Sequence, residues 1–134
     1  MRKTIFILLC MLGAVFGYSQ NTKFQLSSHV LDITTGQPAS GIRVKLEKQR
    51  QDKSWESIEV KTTDSNGRIS DFLSSVKDNT GIYKVTFYTE EYFKMQKIST
   101  FYPYIEVVFT ISDNKHYHVP ITLSPYGYST YRGS

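Results

Sequence analysis

The chain has 134 residues, 16 basic against 12 acidic, with 40% hydrophobic and 14% aromatic content. An excess of +4 is too small to argue for nucleic acid or anionic membranes as partners, and a chain this short makes one domain rather than several. A single cysteine, Cys10, excludes an internal disulfide framework and a zinc site built on paired thiolates.

Arg2 and Lys3 followed by the apolar run "TIFILLCMLGAVFG" read as a secretory signal rather than a membrane span. Cleavage is expected after Gly17 or Gln20, which divides the chain into a signal at residues 1–20 and a domain at residues 21–134. Leu8 and Leu9 stand before Cys10 where a lipoprotein signal places small residues, so no lipid anchor is expected. Removal of Arg2 and Lys3 takes the basic count from 16 to 14, a net charge of about +2, and leaves roughly 114 residues without cysteine. A domain of that size buries roughly two-thirds of its unfolded surface and owes its stability to packing.

The remainder alternates strand-like runs with turn clusters. In "FQLSSHVLD" Phe24, Leu26, Ser28 and Val30 share one face, and Gln25, Ser27, His29 and Leu31 the other. "GIRVKLEK" turns Ile42, Val44 and Leu46 inward, and "WESIEVKTT" sets Ile58 and Val60 opposite Ser57, Glu59 and Lys61. The turn "TTDSNGRIS" precedes "GIYKVTFYT", a continuous aromatic and β-branched run. "TEEYFKMQK" breaks the rhythm. Thr89 is expected to cap a short helix carrying Glu90 and Glu91 in its first turn, with Tyr92, Phe93, Met95 and Gln96 at helical spacing. "YIEVVFTIS" and "HYHVPITL" complete the set, with Tyr117, Val119, Ile121 and Leu123 on one face. About seven strands and one short helix imply an all-β sandwich or barrel.

Strand parity also selects candidate residues for chemistry. His29 falls opposite Leu26 and Val30, and His118 shares its face with His116 and Pro120, so both histidines should leave the core. Taken singly, each candidate has an ordinary role: a solvated histidine, a turn arginine at Arg68, an edge tyrosine at Tyr131, a frayed Ser134. His116 and His118 at i, i+2 would need further ligands to hold a metal. No phosphate-loop motif or G-x-S-x-G elbow occurs in the sequence.

"LSSHVLDITTGQPASGIRVKLEK", "TTDSNGRIS" and "HYHVPITLSPYGYSTYRGS" resemble the 5-hydroxyisourate hydrolases, the transthyretin-related proteins of purine catabolism. The likeness runs from about Phe24 to Ser134 and is most specific at the terminal Tyr-Arg-Gly-Ser; Gly127 and Tyr104 depart mildly from the family pattern. It implies a transthyretin-like sandwich of two four-stranded antiparallel sheets with one short helix, assembled as a homotetramer. It also implies hydrolytic opening of 5-hydroxyisourate to 2-oxo-4-hydroxy-4-carboxy-5-ureidoimidazoline without metal or organic cofactor. Residue by residue, the resemblance assigns catalysis to His29, Arg68, His118 and Ser134, and substrate binding to His29, Arg68 and Tyr131. The signal adds an expectation of export, to the periplasm in a double-membraned host, with no membrane association after cleavage. Hormone-carrier transthyretins share the fold; the resemblance separates them by the histidine pair, the turn arginine and the terminal tetrapeptide. Histidines on an outer face need a second subunit to exclude water, which places the expected site between subunits.

Overall fold

The computed structural model describes residues 23–134. The secretory signal expected at residues 1–20, with Cys10 inside it, lies outside the described residues. Nine strands and one helix follow in order: β1 (Phe24–Asp32), β2 (Gln37–Pro38), β3 (Arg43–Gln49), β4 (Trp55–Thr62), β5 (Arg68–Ser74), β6 (Gly81–Phe87), α1 (Thr89–Met95), β7 (Ile105–Ile111), β8 (Tyr117–Ser124) and β9 (Gly127–Thr130).

They form two sheets. One has the order β2-β1-β8-β9 with β5 also on β1; the other has the order β4-β3-β6-β7. The two-residue β2 is what raises the first sheet above the expected four strands. One pairing departs from antiparallel: β1 and β8 run side by side in the same direction, with Ser27 opposite His118 and His29 opposite Pro120.

Alternation builds the core between the sheets. Leu26, Val30, Val44, Leu46, Tyr83, Val85, Phe87, Tyr117, Ile121 and Leu123 are all buried. Each aliphatic or aromatic side chain so enclosed contributes about 1.5–3 kcal/mol relative to exposure. The edge strand β4 is arranged the other way. Val60 pairs with the outward Lys45 and is 52% exposed, whereas Lys61 pairs with buried Val44. Lys61 Nζ reaches the Asp71 carbonyl and carboxylate at 2.7 Å each, so it spans the open side of the sandwich.

The helix corrects one expectation. Tyr88, not Thr89, is the N-cap, and its side chain makes no capping bond. Thr89 is buried and its hydroxyl donates to the Tyr102 carbonyl at 3.2 Å, serving the tertiary structure instead. Phe93 anchors the helix in the core, and Met95 is 88% exposed despite its spacing. Seven residues offer too few turns to present a full apolar stripe.

Candidate active site

Four strands or segments meet on the outer face of the first sheet, and the pairing register decides which side chains gather there. His29 lies opposite Arg68 across β1 and β5, and Ser27 lies opposite His118 across β1 and β8. Residues directly opposite on neighbouring strands share a face. His29, Arg68, Ser27, His118 and, two residues before His118, His116 therefore project together.

A bulge makes the Arg68 position possible. Leu26 pairs with Phe72, but two residues later Ser28 pairs with Ile69, so β5 spends one extra residue between them. An unbroken register would oppose Ser28 with Ser70 and Val30 with Arg68, turning the guanidinium into the core. The extra residue rotates Arg68 to the outer face and returns Ile69 to the inside. Further along, Phe72 and Leu73 both turn inward, which the left-handed φ of +57° at Leu73 accommodates.

The turn before Arg68 is tied on both sides. Asp64 Oδ1 accepts the amides of Asn66 at 2.8 Å and Arg68 at 2.9 Å, and the Asp64 amide donates to the Arg68 carbonyl at 2.9 Å. Gly67 has φ +70°, and a Cβ there would come 2.5 Å from the Val30 carbonyl oxygen. Its own carbonyl accepts the Val30 amide at 2.8 Å, stapling the turn to β1 beside His29. Arg68 itself is exposed and forms no ion pair among the described residues.

The tail closes the other side. The Gly133 amide donates to the His118 carbonyl at 2.9 Å, Thr130 Oγ1 to the Pro120 carbonyl at 2.8 Å, and the Arg132 guanidinium lies 4.6 Å from the centre of the Tyr117 ring. A Cβ on Gly133 would collide with His118 Cδ2, so only glycine lets the backbone lie on that imidazole. Tyr131 is 61% exposed and Ser134 is exposed; they flank the cluster without a hydrogen bond to its histidines.

Both principal histidines are half-buried and held below the ordinary imidazole pKa. For His118 the causes are burial, then the charge of Arg68, then those of His29 and His116, opposed by a backbone hydrogen bond at Ser27. For His29 they are burial and Arg68, opposed by a backbone hydrogen bond at Asn66 and the Asp64 carboxylate. The arrangement favours neutral imidazoles, able to take a proton, beside a fixed cation. No group of three metal-ligating side chains clusters among the described residues.

The structure thus brings His29, Arg68 and His118 together and leaves Tyr131 and Ser134 at the rim. Sequence reasoning missed Ser27, took Gly133 only as part of the terminal tetrapeptide and considered His116 only as a metal ligand. Ser27 shares the parity of His29, which was the available signal.

Residues 26–133 match the HIUase/Transthyretin family. The chain is 49% identical over 110 residues to a 5-hydroxyisourate hydrolase of Salmonella dublin, covering 81% of this chain and 80% of that protein. It is 40% identical over 111 residues to the 5-hydroxyisourate hydrolase of Mus musculus, covering 81% and 94%. Among solved structures, sea bream transthyretin in complex with thyroxine superposes with a TM-score of 0.77 at 30% identity, covering 81% of this chain and 94% of that one. A β-sandwich matched over most of its length, with its sequence at this level of identity, makes the chain a member of the HIUase/Transthyretin family.

Proposed function

We propose that the protein is a 5-hydroxyisourate hydrolase, opening a ring amide C–N bond of its substrate to give 2-oxo-4-hydroxy-4-carboxy-5-ureidoimidazoline. The observation that carries this reading is the His29–Arg68–His118 cluster, which accompanies 40–49% identity to hydrolases across the whole domain. A carrier would have no need of paired neutral imidazoles beside an uncompensated guanidinium.

In the proposed reaction water adds to a ring carbonyl carbon, one imidazole takes the water proton, and the amide nitrogen leaves carrying a proton. Positioned proton transfer of this kind contributes roughly 10²–10⁴-fold. Arg68 offers a planar fork of donors to the flat, anionic substrate and to the oxygen that gains charge. Tyr131 walls the pocket, and Ser134 hydrogen-bonds substrate or water.

An open outer face gives these groups little leverage, and the reading therefore includes a homotetramer that covers it. Two features support association. β7 and β9 are the free edges of their sheets, on the side away from the β4–β5 contact, where a second copy can extend both sheets. Phe101, Tyr102 and Tyr128 stack edge to face at 5.1 Å beside that edge, with Phe101 71% exposed. Export to an extracytoplasmic compartment belongs to the same proposal and rests on residues 1–20.

The test is the ultraviolet decay of freshly generated 5-hydroxyisourate with His118→Ala and Arg68→Glu beside the wild type. Each variant should lose at least about tenfold in kcat/KM, or about 1.4 kcal/mol, with its melting curve retained. Wild-type turnover in either would remove that residue from the mechanism.

A further inference from the structure

The hydrogen bonds behind His118 form a chain with a defined direction. His116 Nδ1 lies 3.1 Å from the Phe24 carbonyl oxygen, and the Ser27 hydroxyl lies 2.8 Å from both His116 Nε2 and His118 Nδ1. A carbonyl can only accept, so His116 Nδ1 carries the proton of that bond. In a neutral His116 the other nitrogen, Nε2, is then a bare acceptor, and the Ser27 hydroxyl donates to it. With its one proton committed, Ser27 Oγ can only accept from His118, which fixes the proton of His118 on Nδ1. The remaining nitrogen, His118 Nε2, is left as an unprotonated lone pair. A second proton on His116 would leave its bond to the Phe24 carbonyl as it is, reverse the two bonds through the Ser27 hydroxyl and place the His118 proton on Nε2.

We infer that Ser27 and His116 are positioning residues for hydrolysis: anchored on the Phe24 carbonyl, they set the tautomer of His118 so that its Nε2 is the base that accepts the proton of the attacking water. This inference rests on the hydrolase reading, and it assigns to His118 a step that His29 could otherwise share. It also accounts for local sequence. His116 and His118 stand at i, i+2 on one face, and the parallel register of β1 and β8 brings Ser27 opposite His118, so that both imidazoles reach one hydroxyl. Ser27 is opposite the bulge of β5, where that strand supplies no directly paired residue to crowd the hydroxyl. His29 has a different support, a backbone hydrogen bond at Asn66, and no link to Ser27 or His116. The role is the familiar one of a group that orients a base through its second ring nitrogen, here filled by a serine and a histidine in place of a carboxylate.

The test combines spectroscopy with kinetics on the folded protein. Long-range proton–nitrogen correlation of histidine-labelled protein, at about pH 8 where an ordinary imidazole is neutral, distinguishes a protonated ring nitrogen from a bare one. The wild type should show His118 protonated at Nδ1 and bare at Nε2. Ser27→Ala should shift His118 toward the opposite tautomer and lower kcat at least about tenfold with KM within about twofold, since the substrate contacts are untouched. Ser27→Thr, which keeps the hydroxyl, should restore both. His116→Ala, which removes the acceptor of the Ser27 proton, should reproduce the tautomer shift and guards against a Ser27 variant that fails to fold.

A wild-type His118 protonated at Nε2, or a folded Ser27→Ala with unchanged tautomer and unchanged kcat, would overturn the inference. The two readings separate cleanly. A bare Nε2 in a protein that does not accelerate 5-hydroxyisourate decay would sustain the hydrogen-bond chain and sink the hydrolase assignment. Hydrolysis by a protein whose His118 carries its proton on Nε2 would do the reverse.

Discussion

Arg68 acts on His118 and His29 before any substrate arrives. Its charge is second only to burial in lowering the pKa of each imidazole. Arg68→Gln should therefore move both pKa values up toward the ordinary value near 6.5, observable by titrating the ring resonances. Unchanged titration curves would show that burial alone sets them. The same shifts tie stability to pH. Each histidine binds its proton less readily in the fold than in the unfolded chain, so its contribution is fully present above about pH 6.5 and is lost as pH falls through the lowered folded value. Three of these residues were legible as candidates: period-2 alternation turned His29 and His118 outward, and resemblance added Arg68. Ser27, His116 in its positioning role and the packing of Gly133 on His118 were not, because each acts through a cross-strand neighbour, and one sequence does not reveal register. Gly133 is a case in point. It looks like a terminal glycine until its backbone is seen lying on the His118 ring.

The elements that carry the site are irregular where it matters. The turn from Asp64 to Arg68 was readable from "DSNGR", but the β5 bulge that swings Arg68 outward was hidden. Its trace in the sequence is the three-residue spacing of Ile69 and Phe72, both buried, which period-2 reasoning cannot fit. Gly67 holds the turn against β1 in a left-handed conformation, with no room for a methyl group. Gly67→Ala should cost roughly 1–3 kcal/mol for the backbone strain and displace Arg68 from His29, read as a lowered urea midpoint together with reduced turnover. An unchanged midpoint would show that the turn can relax without cost. The helix start was misread for a related reason: Thr89 has the right side chain for a cap, but the part-buried Tyr102 carbonyl is a better-placed partner.

At the scale of the whole molecule, the sandwich class was legible because alternating strands and short turns leave few other architectures, and the order of strands in each sheet was not. The parallel β1–β8 pair brings an early and a late segment of the chain together, and it is this pair that unites Ser27 with the two C-terminal histidines. The homotetramer is argued from free edges and an exposed outer face. Activity per chain should fall on dilution in step with dissociation measured by light scattering, and a fully active monomer would remove the covered site from the account. The central claim is that the cluster around His118 hydrolyses 5-hydroxyisourate. Its most direct measurement is the ultraviolet decay of the freshly generated compound at increasing concentrations of the folded protein. The account predicts acceleration over the spontaneous rate in proportion to protein and its loss in His118→Ala; decay at the spontaneous rate in the presence of well-folded wild-type protein would contradict it.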